Sequence, residues 1–343
     1  MKLTEIQNGF FTAFRASGNS KSTVELYRYA LGQLTNYLDD PEIDQISLSD
    51  LEEYFVYLQD EYVPNRKNGD KKPLSGSTLQ NHWKAIRSFF NYCIHPERTL
   101  IKKNPAQGLK CPPENPEAII PMTKQEVEAL LNSSIYACTS KPSNRKAFTM
   151  HRRTWRRDVA MILVLLDTGM RVGELSRLRL CDYDQNEQCL LIKPYGNSQM
   201  KTKSRPVYIS DRTATALFDY LSPRDCRNQQ APLFLGEQGN SVTPNSIRLL
   251  VADLSKKAGI RHIHPHIFRH TYSIQFLRNG GNIYDLQKVL GHADLKMCMR
   301  YLAISRTDVA NAQKIHSPVS CWNLGAKSSS KSNPNHTTLL ASN

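Results

Sequence analysis

Three short stretches carry the side chains that could do chemistry. The first reads Thr168-Gly169-Met170-Arg171-Val172-Gly173-Glu174-Leu175, the second His266-Ile267-Phe268-Arg269-His270, and the third Val289-Leu290-Gly291-His292-Ala293, followed by Tyr301. Two arginines, two histidines and a tyrosine suit one chemistry, attack on a phosphodiester. Arginines grip nonbridging phosphate oxygens with planar forks. A tyrosine hydroxyl can attack phosphorus, and histidines can position it, move protons or stabilise charge. A lone Gly-His…Tyr segment is most often a packed helical hairpin with a core tyrosine; the joint occurrence of all three stretches is what selects the chemistry. His262, His264, His266 and His270 also raise a metal site. No carboxylate or cysteine lies near them in sequence to complete one, so no metal and no cofactor is expected.

Local signals place these groups on particular elements. A short helix over residues 284–290 should stop at Gly291, which suits the left-handed turn after a helix end. A second helix should start near the N-cap residue Asp294, with Tyr301 about two turns along it. Pro265 opens another helix, so that His266 and Arg269, three apart, share a face. Gly169 allows the tight turn that presents Arg171, with Glu174 one turn later. Residues 188–193 and 204–209 are β-rich around Gly196-Asn197-Ser198, a hairpin whose tip carries Lys201 and Lys203. Thr123 and Glu126 form a capping box opening a helix through Leu131. Residues 159–166 read as a buried helix, too short to cross a bilayer. Thr243-Pro244 starts a helix whose Asn245, Arg248 and Lys256 could face a groove.

The rest of the chain points to a polyanionic partner. Its 343 residues suggest two domains, and its net charge is +14. Residues 1–110 hold 14 basic against 13 acidic side chains, so most of the excess lies C-terminal to them. Between 141 and 157 stand Lys141, Arg145, Lys146, Arg152, Arg153, Arg156 and Arg157 with no acid, which reads as a phosphate-binding surface. Residues 1–108 look helical throughout. Residues 20–38 and 77–92 have apolar positions at helical spacing, and Ser49-Asp50-Leu51-Glu52 looks like a capping box. Arg66, Lys67, Lys71, Lys72, Lys84 and Arg87 are candidate phosphate contacts in this part. Prolines crowd residues 109–121, a linker, and residues 122–316 form the second domain. A short helix is expected over 307–315, and from residue 317 the Ser/Asn/Lys-rich tail reads as disordered. The eight cysteines form no C-x-x-C pair, and the N-terminus lacks an apolar signal core, so a cytoplasmic protein with reduced thiols is expected.

Arg171, Glu174, Lys201, His266, Arg269, His292 and Tyr301 stand in the order and at the spacings of one family's motifs, and over residues 119–316 the chain resembles the tyrosine recombinases, or phage-type integrases. That resemblance implies a mainly α fold with a small β-hairpin or sheet: a helical, SAM-like core-binding domain plus an integrase-type α+β catalytic domain, forming a C-shaped clamp on DNA. It implies a site-specific recombinase that cuts and rejoins mobile-element or replicon DNA through a covalent 3′-phosphotyrosine, without metal or ATP. Arg171, Arg269 and His292 would stabilise the transition state, His266 would help move the tyrosine proton, Lys201 would protonate the leaving oxygen and Tyr301 would be the nucleophile, with Glu174 in support. Lys203 stays open as the lysine, because the gap from Lys201 to Arg205 is about one residue short of the family's. Lys67, Lys71, Lys72, Lys84, Arg87, Arg152, Arg153, Arg205 and Arg248 are the expected DNA contacts. The implied partners are double-stranded DNA with specific recombination sites, a homotetramer on that DNA and an accessory bending or directionality factor, in a bacterial-type, nucleoid-associated cytoplasmic setting with no membrane. A type IB topoisomerase, a non-catalytic DNA-binding regulator and a metal-dependent nuclease are the rival readings.

Overall fold

The computed structural model describes residues 1–66, 69, 71–113, 118–136, 150–194, 204–292, 294–305 and 317–322. Lys67, Lys141, Arg145, Lys146, the Gly196-Asn197-Ser198 turn, Lys201, Lys203, the 307–315 helix and the tail beyond 322 lie outside the described residues. The chain is mainly helical with a small antiparallel sheet, and it divides into two compact units between residues 119 and 120. Among the described residues no helix is long and apolar enough to cross a membrane.

Among the described residues the first unit has four α-helices, α1 (Leu3–Ala16), α2 (Lys21–Leu38), α3 (Leu48–Asp60) and α4 (Gly76–Cys93). Serines start three of them. The hydroxyls of Ser20, Ser47 and Ser75 each accept the backbone N–H three residues on, occupying one of the donors a helix start leaves orphaned. The capping box of α3 pairs Ser47 with Asp50, two residues before the serine singled out from sequence. Ser49 is instead inside the helix, where its hydroxyl reaches Glu53. The apolar faces meet in one core, with Phe10, Leu31, Leu34, Tyr54, Leu58, Ile86, Phe89 and Phe90 almost wholly buried. Leu109 belongs to that core, and its carbonyl accepts the Trp83 indole N–H at 2.9 Å. The Pro112 carbonyl likewise accepts from Gln80. The proline-rich stretch therefore begins as part of this unit.

The second unit is built around α6 (Trp155–Thr168), whose side chains from Val159 to Leu165 are nearly all buried. An apolar surface that extends round most of a helix must be covered on several sides. Here α5 (Lys124–Ile135), α8 (Asp211–Leu221) and α10 (Pro265–Arg278) cover it. The sheet has the order β1 (Tyr183–Asp184), β2 (Cys189–Ile192), β3 (Arg205–Tyr208), all antiparallel, with Leu190 opposite Val207 and Ile192 opposite Arg205. Strand residues alternate faces, so Arg205 and Val207 point inward while Pro206 and Tyr208 point out. The one-turn helix α7 (Val172–Leu175) follows α6, and α9 (Pro244–Lys257) begins on Thr243 and Pro244 as expected. After α10 come α11 (Ile283–Leu290) and α12 (Lys296–Ser305), then a last short helix, Pro318–Cys321.

The basic run 141–157 is not unopposed where it is described. Asp158, fully buried in the first turn of α6, takes Arg157 at 2.7 Å and Arg152 at 3.4 Å, and the Thr154 hydroxyl at 2.8 Å. Arg152 also reaches Asp253 on α9, and Arg157 donates to the Leu235 carbonyl. Arg152, one of the expected DNA contacts, is paired with Asp158, and a buried carboxylate needs such a charged partner.

Candidate active site

Arg171 sits where α6 ends. Gly169 closes that helix in the left-handed conformation at φ 59°, and Arg171 then caps α7. A Cβ on Gly169 would stand 2.6 Å from Tyr272, so both backbone and packing require glycine here. The Arg171 backbone N–H donates to Glu174 Oε2 at 2.8 Å, and its guanidinium reaches Oε1 at 3.3 Å. The Arg171 side chain remains 35% exposed, which leaves it able to meet a ligand.

Glu174 is buried and serves two arginines. Arg205 donates to both its oxygens, at 3.1 and 2.9 Å, and uses its Nε on the Val289 carbonyl at 2.7 Å. Burial pushes the Glu174 carboxyl up, but the Arg205 hydrogen bonds and charge outweigh it and hold the group below the usual carboxylate range. Arg205 was expected on DNA. It is only 7% exposed, and its inward place on β3 makes it the support beneath the site. A Cβ on Gly291 would stand 2.8 Å from the Arg205 guanidinium, so the glycine that ends α11, at φ 62°, also makes room for this strut.

Arg269 enters from α10 and is almost completely buried. Its guanidinium donates to the Gly169 carbonyl at 2.9 Å, the Leu290 carbonyl at 2.8 Å and His292 Nε2 at 2.6 Å. The second arginine thus ties together the ends of α6 and α11, the two turns that carry Arg171 and His292. Burial, then Arg171, lowers it to about 10, so it stays charged at neutral pH.

Arginine can only donate, so His292 Nε2 must accept. Burial, followed by the charges of Arg269, Arg171 and Arg205, lowers this imidazole to about 4 and keeps it neutral. Its one proton is then on Nδ1, which faces the sulfur of buried Cys298 at 3.0 Å. Cys298 is an acceptor that holds the ring, and sequence reasoning passed over it. Cys298→Ser keeps an acceptor there and is expected to leave stability within about 1 kcal/mol. Cys298→Val strands a buried N–H and should cost about 1–3 kcal/mol in denaturant unfolding.

Tyr301 lies on the inner face of α12, 4% exposed. Its hydroxyl meets His270 Nδ1 at 2.9 Å. His266, assigned to the tyrosine proton from sequence, is exposed in the first turn of α10, with its ring 6.4 Å from that of His270. The signal that could have found His270 is spacing: it lies one turn beyond His266 on the same helix face.

Lys71, Lys72, Lys84, Arg153 and Arg248 are exposed. Arg87 is half-buried, with its guanidinium over the Trp83 ring at 4.9 Å. Among the described residues there is no group of three or more His, Cys, Asp or Glu side chains placed to hold a metal ion.

A helical unit with an arginine, histidine and tyrosine cluster at converging helix ends defines an integrase-type chain. Residues 121–307 match the phage integrase family and residues 6–99 the phage integrase N-terminal SAM-like domain. The chain belongs to the phage integrase, or tyrosine recombinase, family. Among individual proteins it is similar to tyrosine recombinase XerC of Bacillus pumilus (strain SAFR-032), 25% identical over 87% of this chain and 91% of that one. It is also similar to XerC of Bacillus subtilis (strain 168), 28% identical over 72% and 77%. In fold it resembles the Tn1549 transposon integrase in complex with a circular intermediate DNA, with a TM-score of 0.68, 21% identity and coverage of 91% and 98%. It likewise resembles the XerH site-specific recombinase bound to a palindromic difH substrate, with a TM-score of 0.63, 20% identity and coverage of 85% and 79%.

Proposed function

We propose that this chain is a site-specific DNA recombinase that cuts and rejoins duplex DNA through a 3′-phosphotyrosine on Tyr301. The observation that carries the reading is the Arg269 guanidinium, which binds the turns of Arg171 and His292 into one cluster within the second unit. A phosphodiester entering at the exposed Arg171 meets two fixed positive charges, which favour the extra charge of a pentacoordinate transition state. His292, which accepts from Arg269 on Nε2, fixes the guanidinium that meets the phosphate. Tyr301 attacks phosphorus; Lys201 protonates the departing 5′ oxygen. The bond energy stays in the phosphotyrosine, so a partner strand's 5′-hydroxyl can reverse the step without ATP.

The first unit serves as the core-binding domain, with Lys71, Lys72 and Lys84 on phosphates. The assembly is a homotetramer on two sites, as exchange of two duplexes requires four nucleophiles. The solved neighbours include both a transposon integrase and a recombinase with a difH substrate, so the DNA that the chain cuts decides between mobile-element and replicon roles.

The test is covalent trapping with EDTA present. Nicked suicide duplexes are tiled across the DNA flanking the coding sequence, with genome-wide fragments as a second set. A protein–DNA adduct on a denaturing gel, confined to particular duplexes, is the expected result. No adduct from either set would sink the recombinase reading, and relaxation of supercoils lacking such a site would favour a topoisomerase.

A further inference from the structure

We propose that His270, rather than His266, takes the proton of Tyr301 when the tyrosine attacks, which deepens the recombinase reading and rests on it. The pair is in direct hydrogen-bond contact. The Tyr301 hydroxyl, buried inside α12, lies 2.9 Å from His270 Nδ1 on α10. The two rings are tilted, with centroids 5.6 Å apart.

The groups around the pair come from both helices. From α10 these are Arg269, His266 and the Ser273 hydroxyl, with His264 at the cap; from α12, Arg300 and Cys298. Burial, then His266, Arg300, His264 and Arg269, lowers His270 to about 4, so its ring is neutral and has a lone pair to offer. Burial raises the Tyr301 phenol, partly offset by Arg269, Ser273 and Arg300, so the resting nucleophile keeps its proton. In this pair the imidazole is a weak base and the phenol a weak acid. A phosphodiester between Arg171 and Arg269 changes the balance. Its negative charge offsets the cations that hold His270 down, and the imidazole becomes a stronger base when substrate is in place.

The step balances. The Tyr301 Oη–P bond forms as P–O5′ breaks, the phenolic proton passes to His270 Nδ1, and the 5′ oxygen leaves with a proton from Lys201. In the rejoining step the 5′-hydroxyl attacks phosphorus and gives its proton back to Lys201, the Oη–P bond breaks, and His270 returns its proton to Tyr301. His266, in the exposed first turn, is left free to meet the phosphate.

The experiment measures single-turnover cleavage against pH, with full-length protein on the duplex that traps wild type best. Wild type, His270→Ala, His270→Asn and His266→Ala are compared, with DNA affinity measured in parallel. Asparagine places an acceptor near Nδ1 without a titratable base. His270→Ala and His270→Asn are both expected to lose about 10²–10⁴-fold in rate with DNA affinity kept. Their residual rate should climb with pH as solvent base takes over. His266→Ala removes one of the charges that lower His270 and should move the acid limb of the profile to higher pH without removing it. Recovery of the wild-type rate and profile by His270→Asn would leave His270 a purely structural role and overturn the proposal. So would a His270→Ala enzyme as fast as or faster than wild type. Absence of any wild-type adduct is the separate outcome that removes the recombinase reading itself, and this one with it.

Discussion

Tyr301→Phe is expected to give no covalent adduct in the trapping assay while binding the same duplex within about twofold. The substitution removes one oxygen and keeps the ring that fills the inner face of α12. Its structural cost is the hydrogen bond to His270, about 1 kcal/mol, which a stable domain tolerates. Its chemical cost is total, because no other group replaces the attacking atom. Anisotropy with labelled duplex separates binding from cleavage. An adduct formed by the phenylalanine variant would mean that another residue attacks phosphorus, and the site would have to be redrawn.

Glu174→Ala should be the most destabilising substitution in the cluster. It leaves the buried Arg205 charge without its carboxylate and Arg171 without its cap. Breaking a buried ion pair from one side costs about 3–5 kcal/mol. The loss should appear as an earlier denaturant midpoint for the second unit, the first unit's transition staying in place. The double variant Glu174→Leu/Arg205→Met removes both charges and should recover most of that stability without recovering cleavage. A single variant as stable as wild type would show that the pair is not the support described here. The same pair predicts an acid limit. The folded Glu174 pKa is lowered, so its stabilisation is complete above the unfolded value of about 4.3 and is lost as pH falls through the folded one. Unfolding of the Glu174→Leu/Arg205→Met variant should therefore depend less on pH in the acid range than that of wild type.

The two substitutions act on different levels of one design. On the proposed reading Tyr301 supplies an atom to the reaction. Glu174 touches no substrate, yet it joins the Arg171 turn to β3 and, through Arg205, to the end of α11. Arg269 closes the same circle from α10. Phosphoryl chemistry needs fixed charges, since donors that must reorganise during the reaction lose their advantage. The buried network supplies that fixity.

The parts whose physics is local were legible from the order of residues alone. Glycines that end α6 and α11 in the left-handed conformation, Thr123 and Thr243 as caps, Pro244 and Pro265 as first residues of their helices, and the alternation of β2 and β3 are all effects of neighbours a few residues apart. The order and spacing of Arg171, His266, Arg269, His292 and Tyr301 also sufficed to name the family. Where each polar side chain points depends instead on contacts between segments far apart in the chain. Arg205 faces Glu174, 31 residues away in sequence, and Arg152 and Arg157 turn to Asp158 instead of solvent. His270 takes the Tyr301 hydroxyl, and Cys298 takes the His292 N–H. A basic residue on a strand or at a helix start has the same local pattern whether it meets DNA or a buried carboxylate. Which it meets depends on the desolvation of a partner that folding brings from elsewhere in the chain.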